Sequence, residues 1–331
     1  MSVSLQKNNS KPRVVTIDYL KAMLILLVVF GHLLRGVNTD FAQKLYKFIY
    51  IFHIPLFVFI SGFLSKLKLK NILQLILIYI FFQLIYTYVS IVILEETDLN
   101  NPITTPNWLM WYIVSLICWR LTTPLLQKLS NNTAWKLLFF IFVFILGSFV
   151  GYINSITRAF GLSRTIVFYP YFVAGYFQSH NKSNNNLTSL SENKTNKFYL
   201  SIKLILFVAS ITLSIFLIHN NVFSRSDLYR AQPFNSAYDA RNRVILYFLT
   251  FMIIPMLTSI KLKKRSKFIE FISKNTLSVY LLHGFIIFIF WHFKILSSSN
   301  LSILALLPIA ILITILLALV GYLNKILKSK L

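Results

Sequence analysis

Long apolar runs dominate the chain, and short polar segments separate them. Crossing a bilayer takes roughly 20 mainly apolar residues. Read at that length, the pattern predicts ten spans, near residues 14–34, 43–64, 71–94, 108–127, 136–153, 165–178, 199–219, 243–260, 276–296 and 301–323. The sixth is short and contains Pro170, and the second contains Pro55. Backbone groups freed by such prolines need partners inside a bundle or beside a cavity. The expected fold class is an all-α integral membrane protein, a bundle of about ten transmembrane helices. Residues 1–331 are expected to form a single multi-pass membrane domain. Within it, the Asn- and Ser-rich stretch 179–198 reads as a flexible cytoplasmic linker. Residues 263–273, basic and partly apolar, read as a helix lying on the inner leaflet.

Composition supports the membrane class. Of 331 residues, 56% are hydrophobic and 13% charged, about half the charge of a soluble domain. The net charge of +24 raises the question of nucleic acid. The bases, however, flank apolar runs in short loops and form no basic face on a recognisable binding fold, so a nucleic-acid partner is excluded. Placing the amino terminus inside puts 22 of the 33 Lys and Arg residues in inner segments and 10 in outer ones. That bias predicts both termini in the cytoplasm. The first run has no small-residue cleavage site after it and reads as a retained span. The single cysteine, Cys118, can make no internal disulfide. The cell membrane, the plasma membrane of a bacterium, is the expected location.

Ionisable residues inside spans are costly and mark function by default. The first span carries Asp18, Lys21 and His32. Eleven residues separate Lys21 from His32, close to three full helical turns, so both lie on one face about 16 Å apart along the axis. One stripe then carries a base near the cytoplasm and an imidazole towards the outside, which suits a ligand with a phosphate-rich end and a distant reactive end. The second span adds His53 and the ninth His283. Arg164 opens the sixth span, and Arg241 with Arg243 the eighth. With Trp108, Trp111 and Tyr112 they are placed on the outer side, where aromatic faces and arginines suit sugar rings and anionic groups. The histidines lack the spacing of a metal site on one helix and no cysteine cluster supports one, so no metal is expected.

These residues carry a resemblance. Ile17-Asp18-Tyr19-Leu20-Lys21-Ala22 followed by Val28-Val29-Phe30-Gly31-His32 resembles the acyltransferase-3 family of membrane O-acyltransferases, in particular its fucose 4-O-acetylase-like branch. So do Phe52-His53-Ile54-Pro55-Leu56-Phe57 with Ser61-Gly62, the run 108–112, Ser163-Arg164-Thr165 through Phe168, Pro170, Gly175 and Tyr176, and Asn275 through Tyr280 to His283. Many members have arginine where this chain has Lys21, which keeps the charge without the planar fork. The resemblance implies acetyl-CoA or another acyl-CoA as cytoplasmic donor and a glycan or glycolipid hydroxyl as acceptor. It implies His32 as the catalytic group with His53 as the second candidate. It places Lys21 and His283 on the donor, and Arg164, Arg241 and Trp108 on the acceptor. The expected function is O-acetyl transfer to a cell-surface polysaccharide or its lipid-linked precursor. His32 would act as general base or accept the acyl group itself. A flippase or transporter of a lipid-linked saccharide, using the same basic cavity without chemistry, is the second class, and a non-catalytic partner in glycan assembly is the third. Oligomeric state is left open.

Overall fold

A computed structural model describes residues 15–92, 105–153, 159–180, 197–224, 227, 237–262, 264–296 and 303–330. Residues 181–196, most of the expected linker, lie outside them. The described chain is helical: α1 (Val15–Arg35), α2 (Asp40–Phe63), α3 (Leu69–Val92), α4 (Trp111–Leu121), α5 (Thr123–Leu129), α6 (Thr133–Phe149), α7 (Leu162–Ser179), α8 (Lys197–His219), α9 (Ala237–Ser259), α10 (Lys267–Lys274), α11 (Thr276–His292) and α12 (Ile303–Lys330). No strand occurs among the described residues. A helical integral membrane bundle follows.

Among the described residues seven helices are long and apolar enough to cross a membrane, or eight if the bent pair α10–α11 counts as one. The two remaining predicted spans correspond to the α4–α5 pair, divided at Thr122, and to α7. α4 and α5 fall short by length, with 11 and 7 residues, whereas α7 is an interior element. α7 buries Ser163 and Thr165, and a helix enclosed by other helices has no lipid-facing side to keep apolar. α8 shows the opposite case, with only 17% of its apolar window buried.

α2 and α7 pack backbone to backbone. A Cβ on Gly62 would strike the Phe172 carbonyl, and one on Gly175 the Phe59 carbonyl, so hydrogen alone fits at both positions. Low residue numbers meet low: Ile51 and Pro55 share a small cavity with Val167, Phe168 and Tyr171, while Phe59 meets Gly175. The two helices therefore run in the same direction. α3, the α4–α5 pair and α6 lie between them in the chain, so the α4–α5 pair serves as one passage. Otherwise α7 would run against α2.

The prolines do not break their helices. Pro55 lacks the N–H that would bond the Ile51 carbonyl, and the Thr250 hydroxyl of α9 donates to that oxygen at 2.7 Å. α10 turns 69° away from α11, in the region where an interfacial helix was expected. Ser266 caps its start by accepting from the Ile269 N–H. Hydrogen bonds from Lys274 and Arg265 hold the Glu270 carboxyl down at about 2.

Candidate functional site

α1 and α11 run side by side in the same direction, Asp18 meeting Ser273 and His32 meeting His283. α2 returns against α1, and the absence of a side chain at Gly31 leaves room for the Tyr50 ring. These three helices bring the buried histidines to one level. The His32 ring lies 5.3 Å from that of His283, 4.6 Å edge-on from Trp108 and 6.4 Å from Tyr50. Tyr50 in turn lies 4.4 Å from His53. His53 and His283 are wholly buried and His32 is 9% exposed.

Hydrogen bonding assigns the tautomers of two rings. Nδ1 of His53 is 2.8 Å from the Ile49 carbonyl, and Nδ1 of His283 is 2.9 Å from the Val279 carbonyl. A carbonyl only accepts, so each Nδ1 carries the hydrogen and each neutral ring presents a lone pair at Nε2. Both Nε2 atoms, and Nδ1 of His32, are buried without a hydrogen-bond partner among the described residues. Leaving one buried polar atom unpaired costs about 1–3 kcal/mol. A cluster of three such nitrogens calls for a functional explanation rather than a packing one.

The other expected motif residues close around this cluster. Tyr112 bonds Ser61 at 2.7 Å and lies 5.5 Å from Tyr280, whose hydroxyl donates to the Leu109 carbonyl and whose ring is 6.2 Å from His283. The Arg164 guanidinium sits 5.2 Å over the Trp111 ring, a cation–π contact. Thr165 bonds Ser115 at 2.6 Å and accepts the Trp119 indole N–H through its carbonyl at 2.9 Å.

Two expected residues stand elsewhere. Lys21 is near the start of α1, its Nζ donating to the Ser273 carbonyl at 2.8 Å. Arg241 is exposed and donates to Asn242 at 3.3 Å. Two residues on, Arg243 is the one that turns inward, 4% exposed. It lines, with Tyr50, Tyr171 and Tyr247, a cavity of about 10 Å³, the room of one water. Helix geometry puts positions two apart about 200° around the axis, so only one of the pair could face the interior. Sequence reading also passed over Tyr50 and Gln83. Neither Tyr50 nor Gln83 carries a charge to mark it, and Gln83 sits in a largely apolar helix. Among the described residues no three His, Cys, Asp or Glu side chains group as metal ligands.

A family model for the acyltransferase domain matches residues 14–323. The chain belongs to the acyltransferase-3 family. The chain is 47% identical over 70 residues to nodulation protein NolL of Sinorhizobium fredii, a match covering 20% of this chain and 18% of that one. It is 33% identical over 135 residues to nodulation protein NolL of Mesorhizobium japonicum, covering 34% of this chain and 36% of that one. The chain thus spans well under two thirds of the length of the curated relatives it matches. No solved structure matches it. The protein is a multi-pass membrane member of this family.

Proposed function

We propose that this acyltransferase moves an acyl group, acetyl in the simplest case, from cytoplasmic acyl-CoA to a hydroxyl of a cell-surface polysaccharide or lipid-linked glycan, as in the fucose 4-O-acetylase-like branch. The observation that carries this reading is the set of three buried imidazoles with unpartnered nitrogens beside the Trp108 indole. A neutral imidazole presents a ring-nitrogen lone pair that can take a proton from a sugar hydroxyl. Trp108 offers a flat apolar face for a sugar ring, and the adjoining Arg164–Trp111 pair offers a cation.

His32 is the group assigned to the reaction, because it touches both Trp108 and His283. Its ring accepts the proton of the acceptor hydroxyl as that oxygen bonds to the thioester carbon. The carbon–sulfur bond then breaks, and the departing thiolate takes the proton back, leaving an ester and free thiol. His283 and His53, each anchored through Nδ1, face the cluster with Nε2 lone pairs and help to carry the transient charge on the His32 ring. Lys21, at the inner end of the same face, is assigned to donor phosphate.

The test is transfer of labelled acetyl from acetyl-CoA to membrane glycan by the purified protein in vesicles, alongside mass spectrometry of glycans from a deletion strain. Loss of one acyl group from a glycan in the deletion strain, restored by wild type and not by His32→Gln, is the expected result. An unchanged glycan profile would exclude the glycan acceptor.

A further inference from the structure

α3 has the outward look of a lipid-facing helix, with Leu69, Leu73, Leu77, Phe81 and Leu84 exposed. Its buried polar residues nonetheless fall on one stripe, Gln83, Tyr86 and Ser90, at helical spacings of three and four. The stripe faces residues 105–110, the irregular chain that leads into α4. The Gln83 Oε1 accepts the Asn107 backbone N–H at 2.8 Å, and its Nε2 donates to the Thr105 carbonyl at 3.1 Å. Ser90 accepts from the Asn107 side chain at 3.4 Å. Tyr86 donates to the Leu281 carbonyl of α11 at 2.7 Å, two residues before His283.

Non-helical backbone at membrane depth is tolerated only where protein satisfies it. A neutral primary amide supplies a donor and an acceptor at once, and Gln83 uses both on one short segment. Trp108 follows Asn107 directly, and its indole is the aromatic wall of the His32 ring. It is backed by Phe288 at 4.9 Å and Trp291 at 4.8 Å, both on α11. The stripe thus touches the two elements that bring Trp108 and His283 to His32.

We propose that the Gln83–Tyr86–Ser90 stripe of α3 is the positioning frame of the acyltransferase site. It holds residues 105–108 so that Trp108 lies against His32, and holds α11 so that His283 does. This rests on reading the histidine cluster as the place of acyl transfer. Because the frame acts on the Trp108 wall, its loss falls on the acceptor and on turnover, while the donor contact at the inner end is untouched.

Gln83→Leu keeps the bulk and removes both hydrogen bonds. It is expected to lower kcat/KM for the acceptor about tenfold or more with the donor KM unchanged. Combined with Trp108→Ala it should cost little beyond Trp108→Ala alone, since residues acting through one contact are non-additive. Losses that multiply, or a lower yield of protein with wild-type kinetics, would overturn the frame. Tyr86→Phe deletes one oxygen and should fold normally; it is expected to lower kcat severalfold, and a wild-type kcat would remove Tyr86 from the frame. A readout independent of activity uses Asn107→Cys in a Cys118→Ser background. Adding Gln83→Leu should speed labelling of that cysteine by a membrane-impermeant maleimide, and an unchanged rate overturns the frame. Faster labelling in a protein that shows no transfer at all would leave the frame standing and sink the acyl-transfer reading of the cluster instead.

Discussion

At the N-terminal end of α1, Asp18 and Lys21 both engage Ser273: the carboxylate accepts the Ser273 hydroxyl at 2.6 Å and the ammonium donates to its carbonyl at 2.8 Å. Eleven residues along the same face, His32 leaves Nδ1 buried and without a partner among the described residues, near two further imidazoles in the same condition at Nε2. Both regions hold ionisable groups that a bilayer disfavours, but they are stabilised differently. The polar groups of this first region close on each other and on the α10–α11 joint, where Lys325 adds a bond to the Lys274 carbonyl at 2.7 Å and one to the Asn275 side chain at 2.8 Å. Two ammonium groups from separate helices therefore satisfy carbonyls at the end of α10, where orphan acceptors and the negative end of the helix dipole gather. The middle region keeps the Nε2 lone pairs of His53 and His283 without a partner among the described residues. A satisfied joint holds the helices together, whereas unpaired lone pairs in a buried, aromatic-walled place suit proton transfer. For donor phosphate, the comparison means that Lys21 has to exchange its bond to Ser273 for one to the ligand.

The sharpest break between the two regions is expected at His32. His32→Gln keeps size and hydrogen bonding but takes no proton at neutral pH, so acetyl transfer should fall by roughly 10²–10⁴-fold while the protein inserts normally. Near-wild-type transfer would move the chemistry to His53 or His283. A smaller effect is expected at Lys21. A hydrogen bond to a charged group is worth about 1.5–3 kcal/mol, so Lys21→Ala should raise the donor KM by roughly ten- to hundredfold. Lys21→Arg should retain much of the affinity. Equal donor KM in all three proteins would reduce Lys21 to a cap on α10.

Ser273→Ala then separates structure from chemistry. It leaves Asp18 buried without the Ser273 hydroxyl, and should lower stability by about 1–3 kcal/mol in a thermal-shift measurement with kcat unchanged. A fall in kcat with no change in stability would mean that the joint takes part in turnover. The two arginines of α9 test the inward face: Arg243→Ala should weaken acceptor use and Arg241→Ala should not, and the reverse order in acceptor KM would restore Arg241 to the site. Orientation carries no rate effect. Cysteines at Asn9 and Ser329 should resist a membrane-impermeant thiol reagent in intact cells, and labelling of either would reverse the topology.

Much of this was legible in the chain. Span positions follow from apolar runs, because lipid demands continuous hydrophobic helix wherever a segment faces it. The shared face of Lys21 and His32 follows from helical pitch alone. What pattern could not supply was which polar groups end up satisfied. Lys21 and His32 read alike as costly charges on one stripe. Only the packing of α10–α11 against α1 shows the first with a carbonyl partner and the second with Nδ1 unpartnered among the described residues. The meeting of His32, His53 and His283 depends on α1, α2 and α11 lying side by side, a contact across more than 200 positions of sequence that no local pattern encodes. Gln83 was hidden for the same reason, since a single amide in a lipid-facing helix acquires meaning only when an irregular segment from another part of the chain needs both its donor and its acceptor. Lipid dictates the hydrophobic pattern residue by residue, whereas hydrogen-bond partners inside the bundle come from whichever helix packs alongside, and tertiary structure alone decides that.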